Sequence, residues 1–294
     1  MIDFSVTWWN TSLYSYASAL KKRQLREDYA GEVRREVLNL CKNSDLVFLG
    51  EYPNGNELAD MLVSLNACLH NEQSLSSVQG ESLFYKPNKK LEFHNAVVFK
   101  NNIFDLIDEP NQERSITKYR NIPAGRSYRV AQRVRFKFHG EEVGVEFFIV
   151  HWNQRDSISG ETEKVRKRAS ADEILARMSG VDAEYPYKMV LGDFNNEPYE
   201  EAVQILRGSR SIDYVRKNDA LYNPFWKLMH GECGTICSQN NETFHCNKPM
   251  FDFFLVNDMC CAENCIVVPE IVSLDMPHRD KEHRPIKLRV TLEV

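Results

Sequence analysis

Short apolar runs alternate along this chain with polar segments, and the spacing within each run marks out the elements. Ile2 to Trp9 is strand-like and ends on the polar Asn10. After a polar stretch, Thr11 to Lys22, the residues Leu25, Tyr29, Val33, Val37 and Cys41 recur at every fourth position. On a 3.6-residue repeat that makes one buried stripe and predicts a helix from about Gln24 to Cys41. Asp45 to Gly50 is a compact apolar strand that delivers Glu51 at its end; Tyr52 to Asn56 reads as a turn and Glu57 to Leu69 as a second helix. Glu81 to Lys86 and Phe93 to Lys100 read as strands joined across Pro87-Asn88-Lys89, with a short strand near Ile103 to Ile107. A polar segment to about Ser127 leads into Val130 to Phe138 and Val143 to Val150, two alternating strands around His139-Gly140-Glu141, the second ending at His151. Glu163 to Met178 reads as a helix, Lys188 to Leu191 as a strand and Tyr199 to Leu206 as a short helix. Phe251 to Val256 and Ile286 to Val294 are the last strands, the second just after His283.

Strand runs with intervening helices and several hairpins predict an α/β protein, a four-layer α/β/β/α sandwich of two mixed sheets with outer helices. Composition supports one globular domain over residues 1–294: 43% hydrophobic, 27% charged, and no low-complexity tract or repeat to divide it. The longest apolar runs, such as Phe147 to Val150, are too short for a membrane span, and Met1 to Asn10 lacks the charged and apolar regions of an export signal. A soluble, cytoplasmic protein without a membrane partner is therefore expected.

The chemistry gathers at strand ends. Leu191 to Pro198 reads LGDFNNEP, and side chains two apart on a strand share a face, so Asp193 and Asn195 are expected to leave the strand pointing together. Such a pair can hold a water: the carboxylate accepts its proton and the neutral amide orients it, without a second negative charge beside an anionic substrate. The plain alternative is turn chemistry, since Gly, Asp and Asn are common turn formers. Asn10, Glu51, His151, Asp252 and His283 also lie at or beside predicted strand ends, where a sheet scaffold collects site residues. Each has a bland reading: an Asx turn at Asn10, a loop cap at Glu51, packing of His151 on Trp152, an ion pair at Asp252.

As an ordered set, these residues resemble the endonuclease/exonuclease/phosphatase superfamily, the deoxyribonuclease I-like hydrolases that cut phosphate esters with a divalent metal. The matching pieces are WWN at Trp8 to Asn10, LGE at Leu49 to Glu51, HW at His151-Trp152, GDFN at Gly192 to Asn195, FDFFLV at Phe251 to Val256 and EHRP at Glu282 to Pro285. His151-Trp152-Asn153-Gln154-Arg155, followed by Arg168-Ala169-Ser170-Ala171, is most similar to the nuclease-type members. The resemblance implies that Glu51, with Asn10 and Glu282, holds Mg²⁺ or Mn²⁺, hard cations that take oxygen ligands. It implies that Asp193 and Asn195 position the attacking water, and that His283, paired with Asp252, binds the phosphate oxygen as an imidazolium. His151 is then a second phosphate contact or the proton donor to the leaving oxygen. The chain departs from the family pattern twice: Glu282 stands where Asp precedes the final His, and Gly50 where Gln precedes the metal-binding acid.

The implied activity is Mg²⁺-dependent phosphodiester hydrolysis of DNA or RNA by in-line water attack. The other classes are hydrolysis of inositol phosphates or phospholipid headgroups, and a non-catalytic binding module. Inositol-phosphatase relatives carry Trp-x-Asp-Arg where this chain reads Met250-Phe251-Asp252-Phe253, and an intact Glu51, Asp193, Asn195 and His283 argue against a retired site.

Charge locates the expected nucleic-acid contact. Between Arg114 and Lys137 lie eight basic residues and no acid, so removing those eight positive charges from a net −5 leaves the remainder at −13. Tyr119 and Tyr128 are interspersed, and Arg126, Arg129 and Arg155 are the expected substrate-binding residues. The alternative is a solvated strand face, because Arg129, Arg133, Arg135 and Lys137 alternate with apolar residues. Six of the eight cysteines fall between Cys233 and Cys265. They raise a four-thiolate zinc site as an alternative, but no C-x₂-C pair occurs, and buried thiols are the expectation.

Overall fold

The computed structural model describes residues 1–13, 23–52, 55–66, 75–79, 95–107, 115–118, 128–152, 160–179, 182–218, 220–229, 235, 250–274 and 283–294. In chain order the first half contains β1 (Ile2–Asn10), α1 (Arg23–Asn43), β2 (Leu46–Gly50), α2 (Gly55–Asn66), β3 (Leu75–Gln79), β4 (Ala96–Lys100), β5 (Phe104–Leu106), β6 (Ser115–Lys118), β7 (Tyr128–Phe138) and β8 (Gly144–His151). The second half contains α3 (Gly160–Met178), β9 (Tyr187–Asp193), α4 (Glu201–Ile205), β10 (Gly208–Ser209), α5 (Ile212–Lys217), β11 (Leu221–Tyr222), β12 (Asp252–Val256), β13 (Ile266–Ile271) and β14 (Ile286–Leu292).

Two mixed sheets result. One runs β13-β14-β1-β2-β4-β3; the other runs β10-β11-β12-β9-β8-β7-β5, with β6 on β7. Period-2 alternation sorts the first sheet's side chains cleanly. Phe4, Val6 and Trp8 of β1, Phe48 of β2 and Val97 and Phe99 of β4 enter the core shared with the second sheet. Trp9, Val47, Leu49 and Val98 point the other way, onto Tyr29, Val33, Val37 and Cys41 of α1 and Leu58 and Leu62 of α2. The stripe at every fourth residue is thus what docks α1. Aromatic rings fill the intersheet space: Phe48 meets Phe147 at 4.9 Å and Phe99 meets Phe136 at 5.1 Å. Each such ring contributes about 2 to 3 kcal/mol by leaving water. Ala171, Ile174 and Met178 of α3, with Ala202 and Val203 of α4, cover the second sheet's outer face. Buried Lys188 of β9 donates to the last carbonyls of α3, Met178 at 3.2 Å and Arg177 at 3.4 Å, closing the helix end with a cation. The architecture is the α/β/β/α sandwich of two mixed sheets with outer helices.

Several expected elements move. The second helix runs Gly55–Asn66, beginning inside the expected turn. The expected strand Glu81 to Lys86 lies outside the described residues, and the antiparallel partner of β4 there is β3, Leu75↔Lys100 to Gln79↔Ala96. β6 falls in the segment read as polar, because Ser-Ile-Thr-Lys offers a single large apolar side chain. β13 carries Pro269 and shows Ile266 and Val268 to solvent, as an edge strand can, so no alternation announced it.

Candidate active site

The topology brings the ends of both sheets to one edge. Parallel β1 and β2 end there together, with Asn10 paired to Gly50, and Glu51 is the next residue. Parallel β8 and β9 end there with His151 paired to Asp193, while antiparallel β12 begins there with Asp252 beside Asp193. Antiparallel β14 also begins there, three residues after His283. Asn10, Glu51, His151, Asp193, Asp252 and His283 therefore meet although up to 273 positions separate them.

Close backbone packing makes this edge. Gly192 has φ +140°, and a Cβ on it would lie 2.0 Å from the Val150 carbonyl oxygen. Gly192→Ala is accordingly expected to lose more than about 3 kcal/mol of stability in urea unfolding. Glu51 and Asn195 both sit in the left-handed region, at φ 52° and 46°. For Asn that is a modest cost; for Glu it is a strained position held by its surroundings. Thr11 Oγ1 donates to the Gly50 and Glu51 carbonyls at 2.9 and 3.1 Å, and Tyr29 of α1 donates to the Thr11 carbonyl at 2.7 Å.

Asp193 is the hub. Its Oδ1 accepts from the Asn195 backbone N–H at 2.8 Å and its Oδ2 from Asn10 Nδ2 at 3.2 Å. Asn10 Nδ2 also lies 3.5 Å from Glu51 Oε1, so one neutral amide bridges the two carboxylates. His151 Nε2 stands 3.6 Å from Glu51 Oε1 and 3.8 Å from Asp193 Oδ2, and His283 Nε2 stands 3.7 Å from that same Oδ2. On its other side His283 Nδ1 meets Asp252 Oδ2 at 2.6 Å, and Asp252 Oδ1 accepts from Trp8 Nε1 at 2.9 Å.

Burial and charge act in opposition here. Burial pushes the Asp193 carboxyl up to about 7, against the opposing pull of the His283 cation. Burial alone would lower His283, but Asp252 first and Asp193 next raise it to about 10, so the ring is an imidazolium at neutral pH. Ligand atoms of Asp193, Asp252 and His283 all lie within 4.8 Å of one another, a group able to hold a metal ion. Both Asp252 oxygens already accept hydrogen bonds, so a hard cation is better matched by the oxygen donors of Glu51, Asp193 and Asn10.

Two expectations change. Asp193 and Asn195 do not leave a strand side by side: β9 ends at Asp193, and the positive φ of Asn195 turns the chain. They are joined instead through the Asn195 N–H, while Asn195 Nδ2 donates to the Trp152 carbonyl at 2.7 Å and Lys167 Nζ to the Asn195 carbonyl at 3.0 Å. The second half of the basic run is not a groove lining. Arg133 and Arg135 both pair with buried Glu146 of β8; Arg135 also reaches Asp182 at 2.9 Å and stacks 4.3 Å over Tyr185. Lys137 pairs with Glu142 and Glu184. These charges are spent within the fold. Arg126, Arg155 and Glu282 lie outside the described residues, as do Cys233, Cys237 and Cys246; Arg129 is placed in β7 by its backbone alone. Of the other cysteines, burial raises the Cys260 thiol well above its usual value and Cys261 to about 12, which disfavours thiolate.

Trp8 and Thr235 also build the site: Trp8 lies in the WWN piece but was given no role there, and no motif contains Thr235. Thr235 Oγ1 accepts the Phe251 and Asp252 N–H groups at 3.0 and 3.1 Å. Trp8 was legible in principle, lying two residues before Asn10 and so on its face of β1.

Residues 68–260 match the model of the Endonuclease/Exonuclease/phosphatase family. The chain belongs to this family. Solved structures agree on the fold: the human Nocturnin catalytic domain with a bound sulfate anion superposes with TM-score 0.60 at 15% identity over 99% of this chain and 95% of that one. Truncated Caenorhabditis elegans TDP2 gives 0.57 at 16% over 98% and 97%, and a Bacteroides thetaiotaomicron mannosyl-6-phosphatase gives 0.60 at 14% over 98% and 100%. No curated protein matches by sequence. As an endonuclease/exonuclease/phosphatase protein the chain is a phosphoesterase, a hydrolase of phosphoester bonds, in a family generally dependent on divalent metal. Among the described residues, no helix is long and apolar enough to cross a membrane.

Proposed function

We propose that the chain is a metal-dependent phosphodiesterase that cleaves nucleic acid. The observation that carries the reading is the convergence of His151 Nε2 and His283 Nε2 on Asp193 Oδ2, at 3.8 and 3.7 Å, beside the Glu51 carboxylate. Two imidazoles and a carboxylate facing one small space suit a phosphate and an attacking water. Asp193, raised toward neutrality by burial, takes the water's proton, and Asn10 holds its carboxylate in place. His283, kept cationic by Asp252, binds the phosphate oxygen on which charge grows. His151, which approaches the same Asp193 oxygen, serves the second phosphate contact or the leaving oxygen. Glu51, with Asn10 and Glu282, would hold Mg²⁺ or Mn²⁺, which supplies Lewis-acid stabilisation of phosphoryl charge when bound. The sulfate in the Nocturnin domain is in keeping with a fold that accepts tetrahedral anions.

A diester in nucleic acid is favoured over inositol phosphates by Phe253. Where inositol-phosphatase relatives have Arg after the Asp, this chain buries Phe253 completely and stacks it on Phe194 at 4.0 Å, offering no cation to an extra phosphate. Arg126, Arg129 and Arg155 are the assigned backbone contacts. The test is a panel of single- and double-stranded DNA and RNA, a chromogenic phosphodiester, an inositol polyphosphate and mannose 6-phosphate, each with and without Mg²⁺. Cleavage of a nucleic acid well above the monoesters is expected. Arg126→Gln with Arg129→Gln should flatten the slope of log K against log salt by about one unit per lost phosphate contact and leave the chromogenic diester unaffected. Preference for a monoester, or an unaltered slope, would return the substrate question to small phosphate esters.

A further inference from the structure

The indole of Trp8 and the glycine at position 50 fit each other at the back of the site. Trp8 is fully buried, shares its face of β1 with Asn10, and donates Nε1–H to Asp252 Oδ1 at 2.9 Å. The far edge of the same ring covers Gly50: a Cβ there would stand 2.5 Å from Cη2 and 2.9 Å from Cζ2. Gly50 is not in the left-handed region, so its backbone does not demand glycine. Room for the indole is what does. A side chain at position 50 would displace the ring and with it the N–H.

The direction of that N–H matters because Asp252 has two oxygens with different tasks. Oδ2 receives His283 Nδ1 at 2.6 Å, and Oδ1 receives the indole. Thr235 holds the backbone N–H of Asp252 at 3.1 Å but leaves the carboxylate torsion unset, and Trp9 Nε1 holds the His283 carbonyl at 3.0 Å but not its ring. Besides His283 itself, the Trp8 indole is the contact among these that bears on the plane of the carboxylate, and so on where His283 aims Nε2. Any large apolar residue could fill the volume; the indole also donates from this depth.

We propose that Trp8 is a positioning residue that, admitted by Gly50, locks the Asp252 carboxylate and thereby aims the His283 imidazole at the phosphate. The proposal rests on the phosphodiesterase reading for its effect on rate. Its structural half, the coupling of Trp8 to His283 through Asp252, can be read without turnover.

The decisive variant replaces Trp8 by its benzothienyl isostere, which keeps the bicyclic shape and has sulfur in place of N–H; Trp8→Phe is the genetically simple companion. For the isostere we expect kcat on a chromogenic phosphodiester to fall about tenfold, the loss of one hydrogen bond to a charged group. KM should change less than about twofold, since the interaction serves the transition state. The far-downfield proton resonance of His283 Nδ1–H should shift and exchange faster, which mere core filling would not cause. Gly50→Ala, with Trp8 intact, should move that resonance in the same way. A folded isosteric protein with unchanged kcat and unchanged resonance would reduce Trp8 to core packing, and if Trp8→Phe does not fold the isostere carries the test. Absence of turnover in the unmodified protein would sink the phosphodiesterase reading instead, while the resonance would still report whether Trp8 sets His283.

Discussion

Asp193→Asn and Glu51→Gln are each expected to lower kcat at least about 10³-fold while the protein stays folded. Asp193 is 1% exposed and its carboxyl is raised to about 7 because burial penalises its charge. An amide there relieves that penalty, retains an oxygen to accept the Asn195 N–H, and removes the base together with one anionic oxygen donor to a cation. The exchange is not free, since the new amide N–H₂ would face Asn10 Nδ2, now 3.2 Å from Oδ2, so stability should shift by no more than about 1 kcal/mol. Glu51→Gln keeps the shape of a half-buried side chain whose backbone conformation is already set by Thr11. It removes one carboxylate charge from those offered to a cation beside Asp193. EDTA should silence the unmodified protein and Mg²⁺ or Mn²⁺ restore it. Circular-dichroism melts with initial rates on a chromogenic diester check both halves of the expectation; near-normal metal-dependent turnover by either folded variant would remove the roles assigned to these carboxylates.

What could be read from the chain beforehand, and what could not, divides along a physical line. Strands buried on both faces, such as β2, β8 and β9, carry apolar runs (Leu46 to Leu49, Phe147 to Val150, Met189 to Leu191) that close on a polar residue, so the edge where Glu51, His151 and Asp193 gather was visible. Geometry past a strand end was not. The two-residue period holds only while the backbone stays extended, and the φ of 46° at Asn195 ends it, a reversal that the turn-forming Gly, Asp and Asn allowed but did not place. Contacts between strands were hidden for another reason: they need register. Arg133 and Arg135 look like an exposed basic face until β7 is laid on β8, where Arg135 pairs with Glu146. The hairpin turn at Gly140 would have supplied that register. Gly50 looked like a departure from the family pattern, standing where Gln precedes the metal-binding acid; once β1 and β2 are paired it is the space that Trp8 occupies. Thr235 offered nothing locally, since its work is done on residues 251 and 252.

The remaining large effect belongs to Asp252 and His283, and pH separates it from that of Asp193. His283→Gln and Asp252→Asn should each cost kcat about 10² to 10³-fold by removing the imidazolium that faces the phosphate. The same pair should govern the alkaline stability of the metal-free protein. In the folded state Asp252 and Asp193 hold His283 up to about 10, against an ordinary 6.5 in the unfolded chain. The folded protein therefore binds this proton more tightly, and the stability it contributes is fully present below pH 6.5 and is lost as pH rises toward 10. Asp193 has the same sign in a lower window: its pKa is raised from 3.8 to about 7, so its contribution is lost between those values. Melting temperatures in EDTA should consequently decline from pH 6.5 to 10, and His283→Gln should flatten that decline while leaving the lower window sloped. Asp252→Asn should also shift the His283 titration downward, since the nearest anion is gone and burial then dominates. A melting curve for the unmodified protein that stays level from pH 6.5 to 10, or a His283→Gln protein that declines just as steeply, would mean that His283 is not held as a cation by this carboxylate, and phosphate charge would then fall to His151 and the metal alone.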